Sequence, residues 1–277
     1  MADVFGIDVS HYQGKIDWAK VKAAGKTFAI LKAQYENGNH GIDPTFLYNY
    51  KNAMANGFDT DVYDYFGSAT LADPETQARM LVARLDSVKF TGKVWMDLED
   101  KKLKGISKLV MNTMIQKYAA IIVAAGYKLG IYCNYDWYKN VLDVANLKKL
   151  YEFWIARYPL ADTGVYNAAS ALSPKGYGTG WQYSSKGKVD GITGNVDLDV
   201  MYSAVAVVVP SKPVIGVVGT GKRMVLASTL NIRDGAGATN ADIGDLKQGS
   251  VVTIDKVSNG WGHIKNGWIS LDSKYVK

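Results

Sequence analysis

The chain has 277 residues, 48% hydrophobic and 21% charged, with a net charge of +6. That length suits one large domain or a large one with a small one, and the composition excludes a disordered chain or a fibrous repeat. One cysteine excludes an intrachain disulfide, three histidines without HExxH or HxH spacing argue against a metal site, and no cofactor is expected.

Reading from the N-terminus, MADVFGIDVS has neither a basic nor an apolar segment, so no signal peptide is expected. No apolar run approaches the roughly 18 residues of a membrane span, so no membrane insertion is expected. Strand-length apolar runs follow at residues 4–9, 28–33, 62–66, 94–98, 129–132, 153–156, 181–183 and 196–200. Helix signals lie between several of them. Asp73, Pro74 and Glu75 supply a cap, a first-turn proline and a first-turn acid. Ser107 caps a helix whose apolar face reads Val110, Met114, Tyr118, Ile121 and Ala125, and Gly126 ends it. Eight strands with interleaved helices predict a parallel α/β fold of the (β/α)8-barrel type. Residues 159–180 carry too little helix signal for a complete outer ring, so an irregular barrel with some helices missing is expected.

Residues 207–221 contain two prolines and three glycines and read as a linker. Beyond them, short strands split by glycine turns predict a small all-β module. The expected domains are 1–206, 207–221 as linker, and 222–277. From residue 211 onward nine Lys and Arg stand against five Asp and Glu, most of the net positive charge in a quarter of the length. Such a surface favours polyanions. No basic cluster or nucleic-acid motif is present, so nucleic acid is not an expected partner.

The chemistry concentrates in residues 93–100, KVWMDLED. Successive strand residues face opposite sides, so Val94, Met96 and Leu98 share one face and Trp95, Asp97 and Glu99 the other. The two acids then stand at the C-terminal end of the strand, where barrel active sites are built, with Cα atoms about 7 Å apart. At that range one carboxylate raises the other's pKa. A proton-donating acid beside an ionised carboxylate is what glycosidic bond cleavage needs. Taken alone, the run reads equally well as two solvated strand-end acids. Two further strands tip that balance. Asp8 interrupts the first apolar run, and Asp197 and Asp199 share one face of the last. A lone buried carboxylate costs several kcal/mol, so three strands that aim acids at one axis call for a functional reason. Strands one and eight adjoin in a closed barrel, which brings Asp8 toward Asp197. Tyr63, Tyr65, Trp154, Tyr158 and Trp181 supply apolar faces with polar tips that suit sugar rings. His11, at the end of the first strand, stands within reach of a substrate, whereas His40 and His263 are expected to face solvent.

These residues fall into a pattern. Gly6-Ile7-Asp8-Val9-Ser10-His11-Tyr12-Gln13-Gly14, Ile16-Asp17-Trp18, Tyr63-Asp64-Tyr65 and Trp95-Met96-Asp97-Leu98-Glu99 are followed by Trp154 to Tyr158, Trp181-Gln182-Tyr183 and Gly194-Asn195-Val196-Asp197-Leu198. In content and order the set resembles glycoside hydrolase family 25, the Chalaropsis-type lysozymes that include many phage endolysins. The resemblance implies hydrolysis of the β-1,4 bond between N-acetylmuramic acid and N-acetylglucosamine in bacterial peptidoglycan. It implies Glu99 as general acid, and Asp97 as nucleophile or as the group that positions the N-acetyl substituent. Asp8 and Asp197 become supporting carboxylates. Two departures stand out: the family usually has His where this chain has Asp64, and often Asn where it has Asp199.

Residues 230–237, Lys247-Gln248-Gly249, Asn259-Gly260-Trp261 and Asn266-Gly267-Trp268-Ile269 resemble a bacterial SH3-like (SH3b) domain. Such domains commonly bind peptidoglycan, which implies a cell-wall-binding role for Trp261 and Trp268. The expectation is a monomeric enzyme acting on the wall, reaching it through a phage pore. The rival readings are a wall peptidase or amidase, in which Cys133 would be the nucleophile, and a non-catalytic wall-binding protein.

Overall fold

The computed structural model describes residues 2–34, 41–67, 73–202, 220–258, 260–272 and 274–277. Most of the linker expected at 207–221, and His40, lie outside the described residues. The chain divides into two compact units, residues 1–105 with 118–210, and residues 106–117 with 211–277.

Eight strands of the first unit close into a barrel in sequence order. They are β1 (Val4–Val9), β2 (Phe28–Gln34), β3 (Asp59–Tyr65), β4 (Lys93–Asp97), β5 (Lys128–Asn134), β6 (Glu152–Ala156), β7 (Gly180–Gly187) and β8 (Val196–Met201). Helices α1 (Trp18–Ala23), α2 (Phe46–Ala55), α3 (Pro74–Ser87) and α4 (Lys108–Ala124) follow the first four connections, and α5 (Val144–Leu147) is a single turn. Pro74 opens α3 with Glu75 in its first turn. Ser107 Oγ accepts from Val110 N at 3.4 Å at the start of α4, and Gly126 ends that stretch with a φ of 90° that favours glycine. On α4 the apolar face is rotated from the expected one: Tyr118 and Ile122 are buried, Ile121 is half-buried and Ala125 is exposed. Between β6 and β7 no helix forms. Asp162 pins that loop instead, accepting from Ser184 Oγ at 2.6 Å and Ser185 N at 2.8 Å.

The expectation of an all-parallel sheet needs one correction. Strands β1 to β7 run parallel, but β8 is antiparallel to both β7 and β1. The β7–β8 link is a hairpin, which needs no crossover helix. The reversal has a geometric effect on the acids. In a parallel strand Asp197, second residue of β8, would sit at the barrel's base. Here it sits at the mouth, paired across the sheet with Asp8, while Gly6 pairs with Asp199 one layer below.

Inside the barrel, Phe28, Ile30, Trp95, Tyr132, Trp154 and Ala156 pack together, with Tyr63 and Met201 against them. Two glycines make room for this plug. A Cβ on Gly6 would lie 2.5 Å from the Phe28 ring, and one on Gly130 would lie 2.4 Å from the Trp95 ring. At the base, Asp61 accepts from Trp95 Nε1 at 2.9 Å and from Lys93 N at 2.8 Å.

The second unit carries β9 (Gly221–Met224), β10 (Thr229–Arg233), β11 (Asp242–Lys247), β12 (Val251–Ile254), β13 (Lys256–Ser258), β14 (Trp261–Ile264) and β15 (Gly267–Ser270). They form a five-stranded sheet, β11-β10-β15-β14-β13, and a pair, β12-β9. Val225, Leu230, Ile232, Ile254, Ile264, Ile269, Leu271 and Val276 fill its core.

Candidate active site

Alternation along each strand decides which side chains enter the barrel. On β4, Trp95 lies in the plug and Asp97, two residues on, stands above it. Glu99 follows just past the strand end, half-buried where Asp97 is 3% exposed. Together with Asp8 and Asp197 they line one cleft at the mouth, with Tyr63, Tyr132, Trp154, Tyr158 and Gln182. Trp154 forms the floor, its ring centroid 4.3 Å from that of Tyr132, and its Nε1 donates to Asp199 Oδ1 at 2.9 Å.

The cleft is short of donors for its acids. Asp97 Oδ1 meets no donor among the described residues, and neither does Asp199 Oδ2. The neighbour of Asp199 is the Asp8 carboxyl, and two carboxyls bond only by sharing a proton. The protonation states follow from this crowding. Burial pushes Asp97 well above the usual carboxylate range and the Glu99 charge pushes it further, against the pull of Lys32. Burial raises Glu99 as well, again opposed by Lys32. Burial raises Asp8, with the charges of Asp197 and Asp199 as further causes. Asp197 is pushed up to about 6 by burial and by Glu99. Asp199 is pushed up to about 8 by burial and by Asp197. The cluster therefore enters the neutral range holding protons that isolated carboxyls would have lost, and Asp97 and Glu99 titrate as a pair. Among the described residues, no set of three His, Cys, Asp or Glu side chains is arranged to hold a metal ion.

The model of the family described as "Glycosyl hydrolases family 25" matches residues 7–192, more than half of the chain. The chain belongs to glycosyl hydrolase family 25. Lysozyme M1 of Streptomyces globisporus is 30% identical over 212 residues, which cover 70% of this chain and 66% of that protein. The chain thus spans about two thirds of that relative's length. A bacterial lysozyme from Streptomyces coelicolor superposes with a TM-score of 0.58 at 27% identity, covering 74% of this chain and 96% of that one. The CTP1L endolysin does so with a TM-score of 0.57 at 26% identity, covering 73% and 67%.

In this glycoside hydrolase the four expected acids, Asp8, Asp97, Glu99 and Asp197, share the cleft, as do Tyr63, Trp154 and Tyr158. Three residues that the sequence places in the site, Trp181, Tyr65 and the acid Asp199, lie elsewhere. Trp181 is buried outside the barrel, its Nε1 donating to Arg157 O at 2.8 Å and its ring packed on Tyr166 and Tyr183. Asp199 lies beneath the cleft, fully buried, and does not line it. Tyr65 is not part of the lining either, and stands beside Lys32, whose Nζ is 5.0 Å from its ring centroid. Asp64, the departure from the family's histidine, faces away from the cleft altogether. It is held among Gln34, Gln77 and Tyr118, so the change does not touch the substrate side. Asp43 Oδ2 accepts from His11 N at 3.0 Å and meets His11 Nδ1 at 2.8 Å.

Sequence reasoning missed Lys32, Tyr132 and Gln182. Lys32 had a signal, as the one charged residue within the apolar run 28–33. Gln182 had one too: alternation puts it on the opposite face from Trp181, and the inward face is the one that counts. In the second unit, Trp261 and Trp268 are half-buried rather than fully exposed. Trp268 packs edge-on against His263 at 5.1 Å, outside the apolar core.

Proposed function

We propose that this chain is a muramidase that hydrolyses the β-1,4 bond between N-acetylmuramic acid and N-acetylglucosamine in peptidoglycan. The observation that carries the reading is the pair Asp97 and Glu99, packed into a barrel mouth opposite Asp8 and Asp197. Glu99 donates its proton to the glycosidic oxygen, because it is the more exposed member of the pair and reaches the open cleft. As the bond breaks, positive charge builds at the anomeric carbon. Asp97 meets it as nucleophile or by positioning the N-acetyl group. Asp8 and Asp197 add negative charge around it, and the faces of Tyr63 and Tyr158 hold the sugar. General acid catalysis of this kind contributes about 10² to 10⁴ in rate.

A wall peptidase or amidase fits the cleft poorly. Cys133 is fully buried with its thiol pushed up by burial, and among the described residues no histidine lines the cleft. Intact Asp97 and Glu99 oppose a non-catalytic role. The second unit is read as an SH3-like module that holds the enzyme on the wall through the Trp261 and Trp268 face. Its excess of basic residues suits an anionic wall. Similarity to an endolysin supports release onto the wall during phage lysis. Mass spectrometry of digested, purified peptidoglycan tests the central reading. New reducing ends on N-acetylmuramic acid, with no new free amino groups, are expected; free amino groups alone would replace the reading with a peptidase.

A further inference from the structure

We propose that Gln182 is a positioning residue for the reaction, because two tyrosine hydroxyls hold its amide in the orientation that hands an N–H to Asp8. The proposal rests on reading the cleft as the glycosidase active site.

Gln182 stands on the inward face of β7, 3% exposed. The two ends of an amide are nearly the same size, so shape alone does not orient it; its partners must. Tyr132 OH donates to Gln182 Oε1 at 2.8 Å, and Tyr158 OH donates to the same oxygen. Burial pushes both phenols up, so both keep the hydrogen they donate. With Oε1 occupied twice, Nε2 faces Asp8 and donates to its Oδ2 at 2.6 Å. The flipped amide would set an oxygen against that carboxylate. The arrangement is a relay in which two neutral hydroxyls fix a dipole and the dipole supports one charge.

That support is selective. Asp197 and Asp199 on β8 face Asp8, as do Tyr63 on β3, Tyr132 on β5 and Tyr158 beyond β6. Asp97 and Glu99 line the same cleft, and Lys32 on β2 lies 5.6 Å from the Tyr63 ring centroid. Three crowded carboxyls on adjoining strands cannot all ionise readily. An N–H bound to Oδ2 leaves only Oδ1 of Asp8 for a shared proton. It pulls the pKa of Asp8 down against burial, the charges of Asp197 and Asp199 and the carboxyl contact with Asp199, all of which raise it.

Gln182→Met removes the N–H at nearly constant length, and Gln182→Glu keeps the acceptor for both hydroxyls but turns an oxygen to Asp8. Both variants raise the pH at which Asp8 ionises. In kcat/KM for soluble peptidoglycan fragments, the acidic limb of the pH profile should move up by about one unit or more. A merely structural role would lower the rate by one factor at all pH values and leave the limb in place, and that result overturns the proposal. A second readout needs no activity. A carboxyl raised in the folded state loses stability as pH rises through its folded pKa. The melting-temperature gap between wild type and Gln182→Met, which adds no titrating group, should therefore widen from pH 4 to pH 8, and should be flat with pH in an Asp8→Asn background. A gap that is flat with Asp8 present, or that widens equally without it, also overturns the proposal. Should the wild type release no reducing ends from peptidoglycan, the glycosidase reading fails, while the melting cycle still judges whether Gln182 acts on Asp8.

Discussion

Two buried carboxylates on adjoining strands, Asp64 on β3 and Asp97 on β4, have opposite surroundings. Asp64 faces outward and is saturated. Gln77 Nε2 donates to its Oδ1 at 2.8 Å, while Gln34 Nε2 at 2.9 Å and Tyr118 OH at 2.7 Å donate to its Oδ2. Asp97 faces inward, with one oxygen meeting no donor among the described residues and Glu99 beside it. Both residues are almost fully buried. Burial alone therefore does not separate a structural acid from a working one; the supply of donors does. A saturated carboxylate ties elements together, whereas a starved one stores free energy that a substrate's developing positive charge releases.

The comparison can be sharpened by substitution. The largest effect is expected at the starved end, where Glu99→Gln should cut release of reducing ends by 10² to 10⁴ with the circular dichroism spectrum unchanged; activity within a few-fold of wild type would remove Glu99 from the acid role. Next comes the saturated end. Asp64→Ala strands three buried donors, a loss of about 3 kcal/mol or more, which for a domain of this size lowers the melting temperature by roughly 10 °C. Turnover per folded molecule should stay within a few-fold at 25 °C. Asp97→Asn should do the reverse, abolishing most activity while raising the melting temperature at pH 7 by a few degrees, since it deletes a charge that the fold holds against its preference. A fall as large as that of Asp64→Ala would erase the distinction.

The same logic fixes a pH dependence. Asp8, Asp97, Glu99, Asp197 and Asp199 all have raised folded pKa values, with Asp197 at about 6 and Asp199 at about 8. Their contribution to stability is complete below the unfolded carboxyl range near 4 and is lost as pH rises through the folded values. Thermal unfolding should therefore occur at progressively lower temperature between about pH 4 and pH 8. A melting temperature that climbs over that window would contradict the assignment of strain to the cleft. The smallest effect is expected far from the acids. Trp268→Ala should weaken pelleting with purified walls by about tenfold, in the range that tethering contributes, and leave turnover of soluble fragments unchanged.

Much of this was legible in the sequence. The eight strand runs and the four cleft acids follow from alternation and from the cost of interrupting an apolar strand with a charge. Direction was not legible. Nothing in Val196 to Met201 says that β8 runs antiparallel, because side-chain alternation is the same in either sense; the short link of the β7–β8 hairpin is the physical reason. Facing was only half legible. Trp181 and Gln182 are neighbours on one strand, and composition favoured the aromatic while the barrel axis favoured the amide. The roles of Lys32 and Tyr132 depend on which strands adjoin, information that no single segment carries.

The reversed last strand also bears on when the enzyme becomes competent. Asp97 and Glu99 are local to one strand end and are in place as soon as the early strands pair. Asp8 meets Gln182 across 174 residues of chain, and meets Asp197 only when β8 seals the barrel against β1. Contacts of such long range form late, since the entropy of closing the intervening loop must be met first. A nascent chain still lacking β7 and β8, or one clipped ahead of them, holds three of the four cleft acids but lacks Asp197 and the Gln182 amide that supports Asp8. Synthesis order thus acts as a timer: the first strand made waits for the last before the cleft exists.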